Sequence, residues 1–170
     1  MARIPLLGSL PAPVRWAAPP AVLLGGLGLL LGGWTGSGSD RVTPPVPKAD
    51  QAGYCAALGR ALPQTVLGHP RADPSPASPY TAAWSSSPRT VLRCGVARPE
   101  YLNRDMSATA PEINDVQWGM GPDGSGGYRF VTTLRKVYVE VTVPKGAYPN
   151  YADPLSSLTD AIKATIPEGF

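Results

Sequence analysis

At 170 residues the chain is long enough for one domain with appendages. Proline (21) and glycine (19) together approach a quarter of it, against roughly 12% in an average protein, and only 16% of residues are charged, so loops and linkers claim much of the length and the core is modest. The net charge of +3 comes from basic residues spread singly, apart from Arg135-Lys136, which argues against nucleic acid as a partner because that function needs a basic cluster or stripe.

Residues 1–15 form a short basic lead with Arg3 and Arg15. Residues 16–34, "WAAPPAVLLGGLGLLLGGW", carry no charge. The 19 residues from Trp16 to Trp34 suffice for a helix across about 30 Å of hydrocarbon, and tryptophan at both ends suits the membrane interfaces. The densest part, Ala21 to Gly33, has the length of a signal-peptide core, but "WTGSGSD" after it is a weak match to a cleavage site. The segment therefore reads as an uncleaved single-pass membrane anchor, with secretion after cleavage as the alternative. Residues 35–49, "TGSGSDRVTPPVPKA", follow as a Pro/Gly/Ser linker, and residues 50–170 as an extracytoplasmic domain.

The first helix is expected over residues 50–62, with Asp50 as N-cap and Pro63 as stop. Tyr54, Cys55, Leu58 and Leu62 share one of its sides. "GHPRADPSPASPY" is then a long surface loop. "RTVLRCGV", residues 89–96, alternates as a strand, with Leu92, Cys94 and Val96 on one face and Val91 and Arg93 on the other. Both cysteines of the chain, Cys55 and Cys94, thus face the core, where a helix packed on a sheet can bring them to the roughly 5.5 Å between Cα atoms that a disulfide requires. Two cysteines in an exported chain are expected to pair, closing a loop of about 40 residues worth roughly 4 kcal/mol in the chain-entropy model. Two cysteines and one distant histidine do not make a metal site.

After Pro99 an irregular segment runs to about residue 111. "INDVQWGM" alternates as a strand and "GPDGSGG" is a turn. In "RKVYVEVTVP" Val137, Val139, Val141 and Val143 face one side, with Lys136, Tyr138, Glu140 and Thr142 on the other. "YADPLSSLTDAIKATIP" closes as a helix, with Asp153 as N-cap, Pro154 at its first helical position and Leu155, Leu158 and Ile162 as its apolar stripe. The order predicts an α+β fold: a small antiparallel sheet of three to four strands with two helices packed on one face, after an N-terminal transmembrane or signal helix.

No constellation for catalysis, cofactor or metal emerges. "GMGPDG" has dinucleotide-motif spacing, but its context is a hairpin and not the start of a helix. His69 lacks a nucleophile or orienting partner nearby in sequence. Asp105, Glu112, Asp115 and Asp123 read as loop and turn residues, and Glu140 as part of a solvated outer face. That face, with Arg93, Tyr138 and Glu140, is the one candidate contact surface, suited to a protein partner.

"TAAWSSSPRTVLRCGVARP", "DVQW" and "RKVYVEVTVP", in this order after a hydrophobic segment and an early "C..L...LP", resemble the actinobacterial proteins grouped as domain of unknown function 3515, over roughly residues 50–167. The family pattern often has glycine and a small acidic residue where this chain has "WSSSP". The resemblance implies a membrane-associated or secreted envelope protein, and carries over no activity and no catalytic residue. The expectation is a membrane-anchored, non-enzymatic binding or accessory domain that meets another envelope protein or wall component. The alternatives are a small-molecule-binding domain and a cell-wall hydrolase using carboxylates. The sequence carries no signal for an oligomeric state.

Overall fold

Among the described residues three helices and eight strands follow one another as α1 (Ala49–Ala61), β1 (Thr65–Val66), β2 (His69–Pro70), β3 (Thr81–Trp84), β4 (Thr90–Cys94), α2 (Tyr101–Arg104), β5 (Thr109–Ile113), β6 (Val116–Pro122), β7 (Tyr128–Thr132), β8 (Val139–Val143) and α3 (Asp153–Thr165). This is a computed structural model, which describes residues 41–104 and 109–169. The expected lead, the apolar segment 16–34 and the linker up to residue 40 lie outside the described residues, as does Asp105. Among the described residues no helix is long and apolar enough to cross a membrane.

The fold is α+β with an antiparallel sheet, but the sheet has six strands, in the order β3-β4-β8-β7-β6-β5, where three to four were expected. β4, β6 and β8 are the strands that alternation revealed. β3, "TAAW", is buried at all four positions and so has no polar phase to betray it. β5, "TAPEI", contains a proline, which a strand tolerates at the edge of a sheet, where β5 lies. The start of the long proline-rich loop, β2, pairs with β1 just before it in a two-residue ladder.

"INDV" is not the start of one strand. Asn114 and Asp115 take φ values of 48° and 62° and form the two-residue turn between β5 and β6, where Ile113 pairs with Val116. Asn and Asp are the non-glycine residues that best tolerate this left-handed backbone. Helix ends shift by one residue. α1 has Lys48 at its N-cap, α3 has Ala152, and neither has a side-chain cap bond. Asp50 and Asp153 lie instead in the first turns, where negative charge suits the helix dipole.

Alternation divides the sheet into two faces. Leu92, Cys94, Trp118, Phe130, Val139, Val141 and Val143 join Cys55 and Leu58 of α1 and Leu155, Leu158 and Ile162 of α3 in one buried cluster. The Cys55–Cys94 disulfide, with 5.5 Å between Cα atoms, ties α1 to the inner face of β4. Val137 is buried but precedes β8. Thr132 Oγ1 donates to its carbonyl (3.3 Å) and accepts from the Val139 N–H (3.0 Å), which anchors the start of the strand.

Upstream of α1 the chain lies against this unit. The Val42 N–H donates to the Ser75 carbonyl (3.1 Å), and Pro47 packs on Gly95 so closely that a Cβ there would stand 2.6 Å from the proline ring. Arg41 is thereby held beside the sheet.

Candidate functional site

The outer face follows from register. Arg93 on β4 stands opposite Glu140 on β8, and Glu140 opposite Val131 on β7. Two residues along, Val91, Thr142 and Arg129 form the next row, and Gly121 on β6 continues it. Arg93 donates from Nε (3.1 Å) and lies 3.0 Å from Glu140 Oε1 through Nη2. Glu140 is only 5% exposed, so the expectation of a solvated carboxylate is corrected: a central strand, an arginine lid and neighbouring side chains shield it.

Part of that shielding comes from α2. A Cβ on Gly119 would meet Leu102 at 2.2 Å, and one on Gly121 would meet the Tyr101 ring at 2.9 Å. Two glycines two residues apart on one strand face thus make the bed on which α2 lies. The Tyr101 hydroxyl is buried and has no hydrogen-bond partner among the described residues. Burial first, and then the Glu140 carboxylate, push its phenol up to about 12, against the opposing charge of Arg129.

A groove of about 640 Å³ opens on this face, lined by Arg41, Arg93, Asp123, Arg129, Glu140 and Thr142 among others. Smaller cavities of about 380 Å³ and 240 Å³ lie beside α1 and beside the β5–β6 turn. Asp123 belongs to the hairpin between β6 and β7. Its Oδ1 accepts from the Ser125 and Gly127 N–H groups (2.7 and 2.8 Å), and its Oδ2 from Ser125 Oγ (2.7 Å). Slight burial raises its pKa, but these hydrogen bonds and the charge of Arg129 outweigh it and hold the carboxyl below its ordinary value. "GMGPDG" is thus a strand end and a hairpin, as its context suggested.

Of the three residues expected on this face, the structure brings two together. Tyr138 precedes β8 and does not line the groove; its hydroxyl accepts from Arg98 Nη1 (3.0 Å), whose Nη2 donates to the Leu102 carbonyl (3.4 Å). Tyr138 therefore props α2, and Tyr101 is the aromatic near Glu140. Arg129 was within reach of sequence reasoning, because alternation opposes it to the inward Phe130. Arg41 gave no such signal. Elsewhere, His69 packs edge-on against Tyr148 with ring centroids 5.3 Å apart. Asp115 pairs with Lys163 at 2.6 Å, and this hydrogen bond and charge, aided by Arg135, hold its carboxyl below the ordinary value. Among the described residues no three of His, Cys, Asp and Glu gather as a metal site.

Fold and face together define a disulfide-stapled α+β domain whose open sheet face carries a polar, arginine-lined groove. The chain belongs to the family described as "Protein of unknown function (DUF3515)", whose model matches residues 37–169. The match begins ahead of the first helix and includes Arg41–Thr43 of the groove. No curated protein and no solved structure matches the chain.

Proposed function

We propose that this chain is a membrane-anchored extracytoplasmic domain that works by binding, without catalysis, and meets another envelope component through the outer face of its sheet. The observation that carries the reading is the Arg93–Glu140 pair. A shielded ion pair is poor value for stability, because desolvation offsets much of its attraction. Its position on the face away from the main core, beside a groove, is better explained by recognition. The disulfide supports an oxidising compartment, and the apolar segment 16–34 supports a membrane tether.

The carboxyl groups also favour binding over hydrolysis. A general acid needs a carboxyl held protonated by a raised pKa. The shifted carboxyls among the described residues, Asp115 and Asp123, move the other way. The test is capture of partners by in-cell crosslinking, followed by mass spectrometry. Tyr138→Ala removes one prop of α2, the hydroxyl that holds Arg98, and should weaken capture while the thermal midpoint stays within a few degrees. Unchanged capture, or turnover of wall fragments by the purified protein, contradicts the proposal. A second reading, small-molecule binding, draws on the groove, whose 640 Å³ falls within the roughly 300–1,000 Å³ of ligand pockets.

A further inference from the structure

We propose that the groove on the outer face is a binding site for a phosphate group, held by the guanidinium groups of Arg41, Arg93 and Arg129. This rests on the reading of that face as the binding face and names the chemistry it takes.

Three arginines and two carboxylates line the groove, yet the carboxylates are already engaged. Asp123 spends both oxygens inside its own hairpin, on Ser125 and Gly127. Glu140 Oε1 takes Nε and Nη2 of Arg93. The arginines are not exhausted in the same way. A guanidinium has five N–H donors. Arg93 directs one edge at Glu140, and Arg129 donates from Nη2 to the Asp123 carbonyl at 3.3 Å. The result is a groove with three guanidinium groups against two carboxylates, and with donors beyond those the carboxylates engage.

Placement fits an anion between these groups. Arg93 on β4 and Arg129 on β7 flank β8 on the same face. Strands are spaced by about 4.8 Å, so the two backbones stand roughly 10 Å apart, with the Thr142 hydroxyl on the strand between them. Arg41 closes the groove from the segment held by the Val42–Ser75 hydrogen bond. Guanidinium forks match both carboxylate and phosphate, but a carboxylate offers two oxygens, enough for one fork. Three arginines around one groove suit the larger set of oxygens on a phosphate. That group belongs either to a soluble phosphate ester or to a lipid headgroup, and the experiment separates the two.

The full chain in nonionic detergent is heated with increasing inorganic phosphate, against chloride at matched ionic strength and against acetate. Its midpoint should rise saturably with phosphate alone. Arg41→Gln and Arg129→Gln, both at exposed positions, should keep the phosphate-free midpoint and each weaken phosphate affinity by about tenfold, the loss of one charged hydrogen-bonding group. In a second arm the chain is placed in phosphatidylcholine nanodiscs with and without phosphatidylglycerol. A rise that needs phosphatidylglycerol and Arg129 assigns the phosphate to a headgroup, and a response to inorganic phosphate only assigns it to a soluble ester. No response in either arm, or an equal response in the Arg41→Gln, Arg129→Gln double variant, overturns the site. Normal partner capture by a protein that ignores phosphate overturns this site alone. A phosphate response without any partner capture overturns the protein-partner reading and leaves the site standing.

Discussion

The two faces of the sheet are built from the same strands by opposite rules. On β8, Val139, Val141 and Val143 point into a dry core beneath α1 and α3, while Glu140 and Thr142 between them point to the other side. The inner face draws its stability from burial, helix packing and a covalent staple. The outer face holds a paired buried charge, a phenol with no partner among the described residues and a groove lined by arginines. None of these is an economical way to stabilise a small domain. The contrast teaches where to look for function: on the face whose chemistry the fold does not need.

The largest break in this comparison should come from the inner face. Cys94→Ala removes the staple and should lower unfolding free energy by about 2–5 kcal/mol, read from denaturant melts of oxidised protein. Non-reducing peptide mapping of envelope-extracted protein should show Cys55 linked to Cys94. On the outer face, Arg93→Ala leaves Glu140 shielded and unpaired, and should cost about 1–3 kcal/mol. Replacing both partners, by Arg93→Met with Glu140→Leu, should restore most of that stability yet abolish capture. A double variant that is far less stable than Arg93→Ala would make the pair a structural device instead.

Smaller effects sharpen the picture of α2. Gly121→Ala puts a Cβ against the Tyr101 ring and should cost about 1 kcal/mol as α2 is lifted. Its ultraviolet titration should bring one phenol back from about 12 toward the ordinary tyrosine range. The sign is that of a raised pKa: the stability linked to Tyr101 is fully present below the unfolded-state value and is lost as pH rises through about 12. The smallest effect belongs to Asp123, whose pKa is lowered. Its contribution is present above the ordinary carboxylate range and fades as pH falls through the lower folded value, so Asp123→Asn should flatten the acid limb of a stability–pH curve.

How far the sequence could be read follows the same division. Period-2 alternation needs polar and apolar residues to take turns along the strand, and it revealed β4 and β8 where Arg93 and Glu140 interrupt the apolar residues. It failed at β3, where Thr81, Ala82, Ala83 and Trp84 are all buried, and at Pro111, which disguised an edge strand. The cysteine pair was legible because both thiols fell on apolar stripes. The site was half legible. Alternation placed Arg93 and Glu140 on one face, but their direct contact follows from the β4–β8 register, which alternation does not give. Arg41 reaches the groove through a tertiary contact between residues 42 and 75, and Tyr101 through two glycines that make room for it. Neither arrangement leaves a periodic trace in the chain.

The claim that the outer face is the working face has a direct test. A photo-crosslinking amino acid is placed in living cells either at Thr142, in the groove, or at Asp160, on the exposed side of α3. Illumination should yield discrete adducts from position 142 and none from position 160. Adducts from position 160 with none from position 142 would place the function on the helical side and contradict the account.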